Sequence, residues 1–194
     1  MPATSVIALI IPALNEAEII GRVVTEMRSA LPTGLVGRIL VVDNGSTDET
    51  ALVAASAGAE VIAEPRRGYG RACAAGVAAA KGAQYLVFLD GDGADMPADL
   101  PAVLEPILSG SADLVVGVRR RREAKSMTPW QLAGNRVAAI AIRTLYGVSV
   151  SDLGPFRAIR RSHLLLLGMS EMTYGWSTEM VVKSLRAGLR YREV

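Results

Sequence analysis

The sequence predicts an α/β domain with a mostly parallel central sheet and helices on both faces. Three observations carry that prediction. Strand-like and helix-like segments alternate over the first 118 residues. The strand-like runs are continuously apolar, as strands buried on both faces are. Each run ends in polar residues or glycine, which mark the turn into the next helix.

SVIALII (5–11) is a β-branched run and reads as a buried strand. Asn15 is placed to cap a helix over residues 16–30. Gly34 and Gly37 punctuate the return to RILVV (38–42), the second strand. Ser46-Thr47-Asp48-Glu49 has the spacing of a capping box and starts a helix through Ala57, ended by Gly58. AEVIA (59–63) is the third strand, and a helix follows Gly68-Tyr69-Gly70 to about Gly82. YLVFL (85–89) is the fourth strand. Pro97 suits the first turn of a helix reaching about Ser109. DLVVG (113–117) is the fifth. After Val118 the alternation stops. RRRREAKSMTP (119–129) reads as a polar loop, and residues 130–146 as a helix that covers the sheet. SDLGPFRAIRR is a mixed segment, residues 177–187 form a helix, and LRYREV alternates like a short strand. No linker divides the chain, so residues 1–194 are expected to form one domain, with 119–194 a lobe packed on the sheet.

Composition narrows the function classes. The 194 residues are 51% hydrophobic and 21% charged, enough for one core. A formal charge of +2 gives no support to bulk nucleic-acid binding. The single cysteine, Cys73, cannot build a disulfide framework or a zinc–thiolate site, which suits a reducing, cytoplasmic compartment. The single histidine, His163, sits beside LLLL and reads as a helix-start or half-buried residue. The apolar run at the N-terminus has no basic lead and is broken by Pro12. No stretch has eighteen uninterrupted apolar residues, so any membrane is expected to be met from its surface.

In an open parallel sheet, ligands bind outside the carboxyl ends of the strands. Those ends carry Pro12, Asn15 and Glu16; Asp43, Asn44 and Ser46; Arg66, Arg67 and the GYGRA turn; Asp90, Asp92 and Asp95; and Arg119 to Arg122. Polar groups from five strands thus converge on one edge. Asp90 and Asp92, one small residue apart, offer hard oxygens suited to Mg²⁺ or Mn²⁺, with substrate phosphates completing the shell. Gly91 and Gly93 permit close approach. The competing reading is a solvated acidic loop with Asp95 capping the next helix; the other four strand ends favour the metal. Asp43 suits a base's ring N–H, and Glu16 suits ribose hydroxyls or simply a helix start. The GYGRA turn nearly matches a dinucleotide fingerprint but follows the third strand rather than the first, and no Walker A sequence is present.

IPALNEAE, VVDNGSTDET, EPRRGYGRA, FLDGDGAD and SDLGPFRAIRR, in that order, resemble family 2 glycosyltransferases of the GT-A fold, nearest the dolichol- or polyprenyl-phosphate sugar synthases. The resemblance covers essentially the whole chain. It implies a Rossmann-like nucleotide-sugar-binding half (1–118) and an acceptor-side half (119–194). Pro12, Ala13, Leu14, Glu16, Asp43, Asn44, Gly70 and Arg71, with Asp90, Gly91 and Asp92, would then hold a UDP- or GDP-sugar. Asp90 and Asp92 would hold the metal. Asp92, Asp95, Arg119, Asp152 and Arg157 would serve the reaction, with Arg119 toward an acceptor phosphate, and Phe156 and Glu179 would lie on the acceptor side. Ala94 departs from relatives with glutamine there; Asp95 or a water takes its place. Relatives also continue past REV with a proline and a basic segment, so the chain is expected to be shortened at that end. A lipid-phosphate acceptor is already anionic and needs arginines. A hydroxyl acceptor needs a base, for which Asp95, Asp152 and Glu179 are candidates. The rival readings are transfer to a soluble hydroxyl and a non-catalytic nucleotide-sugar-binding module.

Overall fold

The computed structural model describes residues 6–118, 142–151 and 153–194. In chain order these form β1 (Val6–Ala13), α1 (Ile20–Ala30), β2 (Val36–Asp43), α2 (Thr50–Ser56), β3 (Glu60–Ala63), α3 (Tyr69–Ala79) and β4 (Tyr85–Phe88). A 3₁₀ turn (Pro97–Asp99) then leads into α4 (Leu100–Leu108) and β5 (Leu114–Val116). Helical residues 142–146 (α5) follow, then β6 (Arg157–Arg160), α6 (Arg161–Leu167), α7 (Trp176–Arg186) and β7 (Tyr191–Glu193).

The described strands make one seven-stranded sheet in the order β3-β2-β1-β4-β6-β5-β7. All pairings are parallel except those of β6, which runs antiparallel between β4 and β5. The five strands read from the sequence are present, as is the C-terminal one. The mixed segment 151–161 hides β6. Its four residues, RAIR, begin and end on arginine, and such a run carries no strand signature until Ala158 and Ile159 are seen fully buried.

Side-chain alternation splits the core in two. Ile7, Leu9 and Ile11 face α1, α2 and α4, whereas Ala8 and Ile10 face α3, α6 and α7. Burial on both faces is why β1 reads as an unbroken apolar run. At the far edge Asp113 clamps the C-terminal segment. Its carboxylate accepts from Arg190 Nε (2.8 Å) and Nη2 (2.9 Å), while Asp113 N–H donates to Arg190 O (2.8 Å). Among the described residues no helix is long and apolar enough to cross a membrane. His163 is half-buried in α6, as expected.

Two expected helix caps do other work. α1 begins at Ile20, not Glu16, and α2 at Thr50. Asn15 takes a left-handed conformation (φ 57°). Its N–H donates to Ser46 Oγ (3.0 Å), and its Oδ1 accepts from Thr47 N–H (2.8 Å). Glu16 N–H donates to Thr50 Oγ1 (2.8 Å) and Ala17 N–H to Asp48 Oδ2 (3.2 Å). The residues that looked like separate caps therefore stitch the loops after β1 and β2 to each other. That brace fixes the rim of the sheet where a ligand would sit.

Candidate active site

A cleft of about 510 Å³ opens at the carboxyl ends of β1, β2 and β4. Of the expected residues, Pro12, Ala13, Leu14, Glu16, Asn44, Asp90, Gly91 and Asp92 line it. Asp43 stands at the end of β2, half-buried, with Oδ1 accepting the Ser46 N–H (3.0 Å). The structure brings together the ends of three strands distant in sequence, as the strand-end reading requires.

The acidic turn is built by its third carboxylate. Asp95 is 6% exposed, and its Oδ2 accepts the Asp90 N–H (3.0 Å). It organises the turn rather than capping the helix that follows, whose start has no side-chain cap. Asp92 is exposed, with Oδ1 on the Ala94 N–H (3.0 Å), and Asp90 is half-buried. Burial pushes the Glu16 carboxyl up, and the nearby Asp92 and Asp48 carboxylates push it further. Among the described residues neither Glu16 nor Asp92 forms an ion pair. Excess negative charge on hard oxygens fits a divalent cation. Among the described residues no group of three metal-ligating side chains is gathered at one point. Asp90 and Asp92 would thus be the protein ligands, and a diphosphate and water would complete the shell.

The basic residues sort themselves in ways the sequence does not disclose. Arg66 is spent on Glu64, with Nε and Nη2 donating to its two oxygens (2.9 and 2.8 Å). Arg67 lines the cleft and has no ion pair among the described residues. Asn44, 6% exposed, directs this loop: its Nδ2 donates to Glu64 O (2.8 Å) and Arg66 O (2.9 Å), and its Oδ1 accepts from Gly68 N–H (2.9 Å). Gly70 and Arg71, expected at the nucleotide, do not line the cleft. Gly70 N–H and Arg71 N–H donate to Thr173 O and Met172 O (both 3.1 Å). The glycine is needed for that approach, since a Cβ on Gly70 would stand 2.4 Å from Glu171 O. Thr173 and Tyr174 join the lining from this segment, as does Tyr69. No motif in the sequence ties residues 173–174 to the GYG turn; the signal is the pair of glycines itself, read as a seat for backbone rather than for phosphate.

Two of the expected residues are engaged within the fold. Arg157 is fully buried. Its guanidinium donates to the carbonyls of Pro155 (3.3 Å), Ser177 (2.8 Å), Leu153 (3.0 Å) and Gly154. It holds the loop before β6 onto α7. Glu179 is no base. Burial alone would raise its carboxyl, but Lys183, Ser170 and the backbone N–H groups of Ser170 and Glu171 outweigh that and hold it at about 2. Arg119 and Asp152 lie outside the described residues. A second cavity, of about 390 Å³, opens beyond the acidic turn; Asp95 and Phe156 line it with Met96, Gly117 and Val118.

The comparisons with known proteins agree with this geometry. The family model described as glycosyl transferase family 2 matches residues 8–166. An uncharacterized glycosyltransferase of Mycobacterium tuberculosis is 40% identical over 193 residues, covering 99% of this chain and 84% of the relative. An undecaprenyl-phosphate mannosyltransferase of Micrococcus luteus is 30% identical over 200 residues, covering 95% of this chain and 80% of the relative. The crystal structure of glucosyl-3-phosphoglycerate synthase from M. tuberculosis, in complex with Mn²⁺, UDP and phosphoglyceric acid, matches with a TM-score of 0.77 at 26% identity, covering 99% of this chain and 68% of that one. A further solved mycobacterial protein matches with a TM-score of 0.79 at 28% identity, and this chain spans 65% of its length. The GT-A fold expected from the motifs is thereby shown. With a match running from β1 into α6, this chain belongs to glycosyl transferase family 2.

Proposed function

We propose that the protein is a metal-dependent, inverting glycosyltransferase that moves a sugar from a UDP- or GDP-sugar to a polyprenyl phosphate. The observation that carries this is the acidic rim of the cleft. Glu16, Asp90 and Asp92 converge there beside Arg67, which has no ion pair among the described residues, in a space sized for a nucleotide sugar. Pro12, Ala13 and Leu14 flank the base, Asp43 accepts a ring N–H, and Glu16 takes the ribose. Arg67 faces the diphosphate, to which a planar donor fork is suited. Asp90 and Asp92 hold Mg²⁺ or Mn²⁺. When bound, the cation supplies a Lewis acid that stabilises charge growing on the leaving diphosphate.

An acceptor phosphate oxygen bonds to the anomeric carbon as the bond from that carbon to the diphosphate oxygen breaks. Attack from the opposite face inverts the configuration. An anionic nucleophile needs no base, and this suits a site in which Glu179 is fully engaged and Asp95 is turned to the Asp90 N–H. Arg119 and Asp152 complete the acceptor side in this proposal. The mannosyltransferase relative supports a lipid-phosphate acceptor, which the enzyme would meet from the membrane surface. A soluble phosphorylated acceptor is the second reading, favoured by the phosphoglyceric acid in the matched crystal structure.

The test is transfer from labelled UDP-glucose and GDP-mannose, with Mn²⁺, to undecaprenyl phosphate in detergent or to 3-phosphoglycerate in buffer. Label entering the organic phase supports the first reading. Label found only in an aqueous phosphoglycerate product supports the second. Nucleotide binding with no transfer to either would leave the binding module.

A further inference from the structure

We infer that Glu179 positions one wall of the donor cleft, by anchoring residues 170–174 on the first turn of α3 so that Thr173 and Tyr174 stand beside the donor. This rests on the donor-cleft reading above. The contacts form an unbroken series. Glu179 lies in the first turn of α7, where a carboxylate is favoured. Its Oε1 accepts Ser170 N–H (3.0 Å) and Ser170 Oγ–H (2.7 Å) and lies 2.8 Å from Lys183 Nζ. Its Oε2 accepts Ser170 N–H (3.1 Å) and Glu171 N–H (2.8 Å). Lys183 in turn donates to Gly168 O (2.6 Å), so the approach to the segment and its first two residues are tied to α7.

The segment then docks by its backbone. Met172 O and Thr173 O accept the Arg71 and Gly70 N–H groups. The seat leaves no slack, since a Cβ on Gly68 would stand 2.4 Å from Met172 O, just as one on Gly70 would from Glu171 O. Thr173 closes the turn, its N–H and Oγ1–H donating to Glu171 Oε1 (2.7 and 2.5 Å). Past that point Tyr174 emerges into the cleft 87% exposed. An aromatic ring this exposed on a segment this tightly held is a face prepared for a flat or sugar-like partner. Glu179 touches no ligand and works through the segment; it is a positioning residue.

Glu179→Gln keeps the side-chain shape, but its amide nitrogen cannot accept the Ser170 and Glu171 N–H groups. The donor KM is expected to rise about tenfold with kcat changed less than about twofold. Tyr174→Ala should raise the donor KM comparably at an unchanged melting temperature. The double variant should be no worse than the worse single, because both act on one wall. An unchanged donor KM in Glu179→Gln, a fall in kcat at constant KM, or additive losses would overturn the inference. Should Glu179→Gln fail to fold, Ser170→Ala carries the same expectation at about two- to threefold, and an unchanged KM there overturns it equally. Thermal shift with UDP, GDP and Mn²⁺ separates the two levels. Wild-type protein that binds neither nucleotide refutes the donor cleft itself, whereas equal binding by wild type and Glu179→Gln refutes only the role of Glu179.

Discussion

Replacing Arg157 by methionine should unfold the protein more easily rather than disable its chemistry directly. Methionine retains an apolar stem of similar reach and removes the guanidinium. Arg157 is fully buried and donates to the four carbonyls of Leu153, Gly154, Pro155 and Ser177. The two well-formed bonds, at 3.0 Å to Leu153 O and 2.8 Å to Ser177 O, come from a charged donor. Stranding each buried acceptor costs about 1–3 kcal/mol. The variant is relieved of the cost of burying a charge, which offsets part of that. A net loss of about 3 kcal/mol remains, a large share of the roughly 5–15 kcal/mol that holds a domain folded. In a chain of this size the melting temperature should fall by about 6–12 °C. Urea unfolding followed by circular dichroism measures the loss, and transfer assays well below the new midpoint should retain most activity. A variant with an unchanged urea midpoint but no transfer would refute this reasoning and return Arg157 to the acceptor.

Asp92→Asn should lower turnover by about a hundredfold or more without moving the melting temperature, because Asp92 is exposed and its loss removes charge for the metal rather than packing; steady-state kinetics across a Mn²⁺ titration check this. Gly70→Ala should cost about 1–3 kcal/mol and loosen the 170–174 segment, read as a lower urea midpoint together with a raised donor KM. Acid should destabilise the fold through two carboxyls. Arg190 holds Asp113 at about 2, and Lys183 and Ser170, against the effect of burial, hold Glu179 at about 2. Both lie below their ordinary values, so the unfolded chain takes up protons first as pH falls. Their stabilisation is complete above about pH 5 and is lost toward pH 2, on the order of 2–3 kcal/mol each. Urea midpoints at pH 6 and pH 3 measure the difference, and Arg190→Met should flatten the Asp113 share.

Much of the cleft lining was legible residue by residue. Pro12, Glu16, Asn44, Asp90 and Asp92 stand at the ends of runs such as VIALIIPA and YLVF, and all of them line the cleft. A strand buried on both faces is apolar throughout, so the first polar residue past it marks the rim. Gly70 and Arg71 do not line the cleft, for a physical reason. A glycine signals that something comes close, not what comes close, and here it is the 171–173 backbone. β6 was missed because arginines at both of its ends obscure two buried apolar residues.

The alternation of strands and helices as far as β5 and the acidic pair at a strand end followed from the sequence alone, because periodicity and local spacing are properties of neighbouring residues, and the ordered motifs carried the resemblance to the family. Which arginine faces the cleft, which acid builds the turn, and what Arg157 and Glu179 hold were decided only by the tertiary structure. Asn15 finds Ser46 and Thr47, Arg157 finds Ser177, and Gly70 finds Thr173. Charged groups in a fold settle on whichever buried donors and acceptors need them, and the chain brings those partners from far along its length.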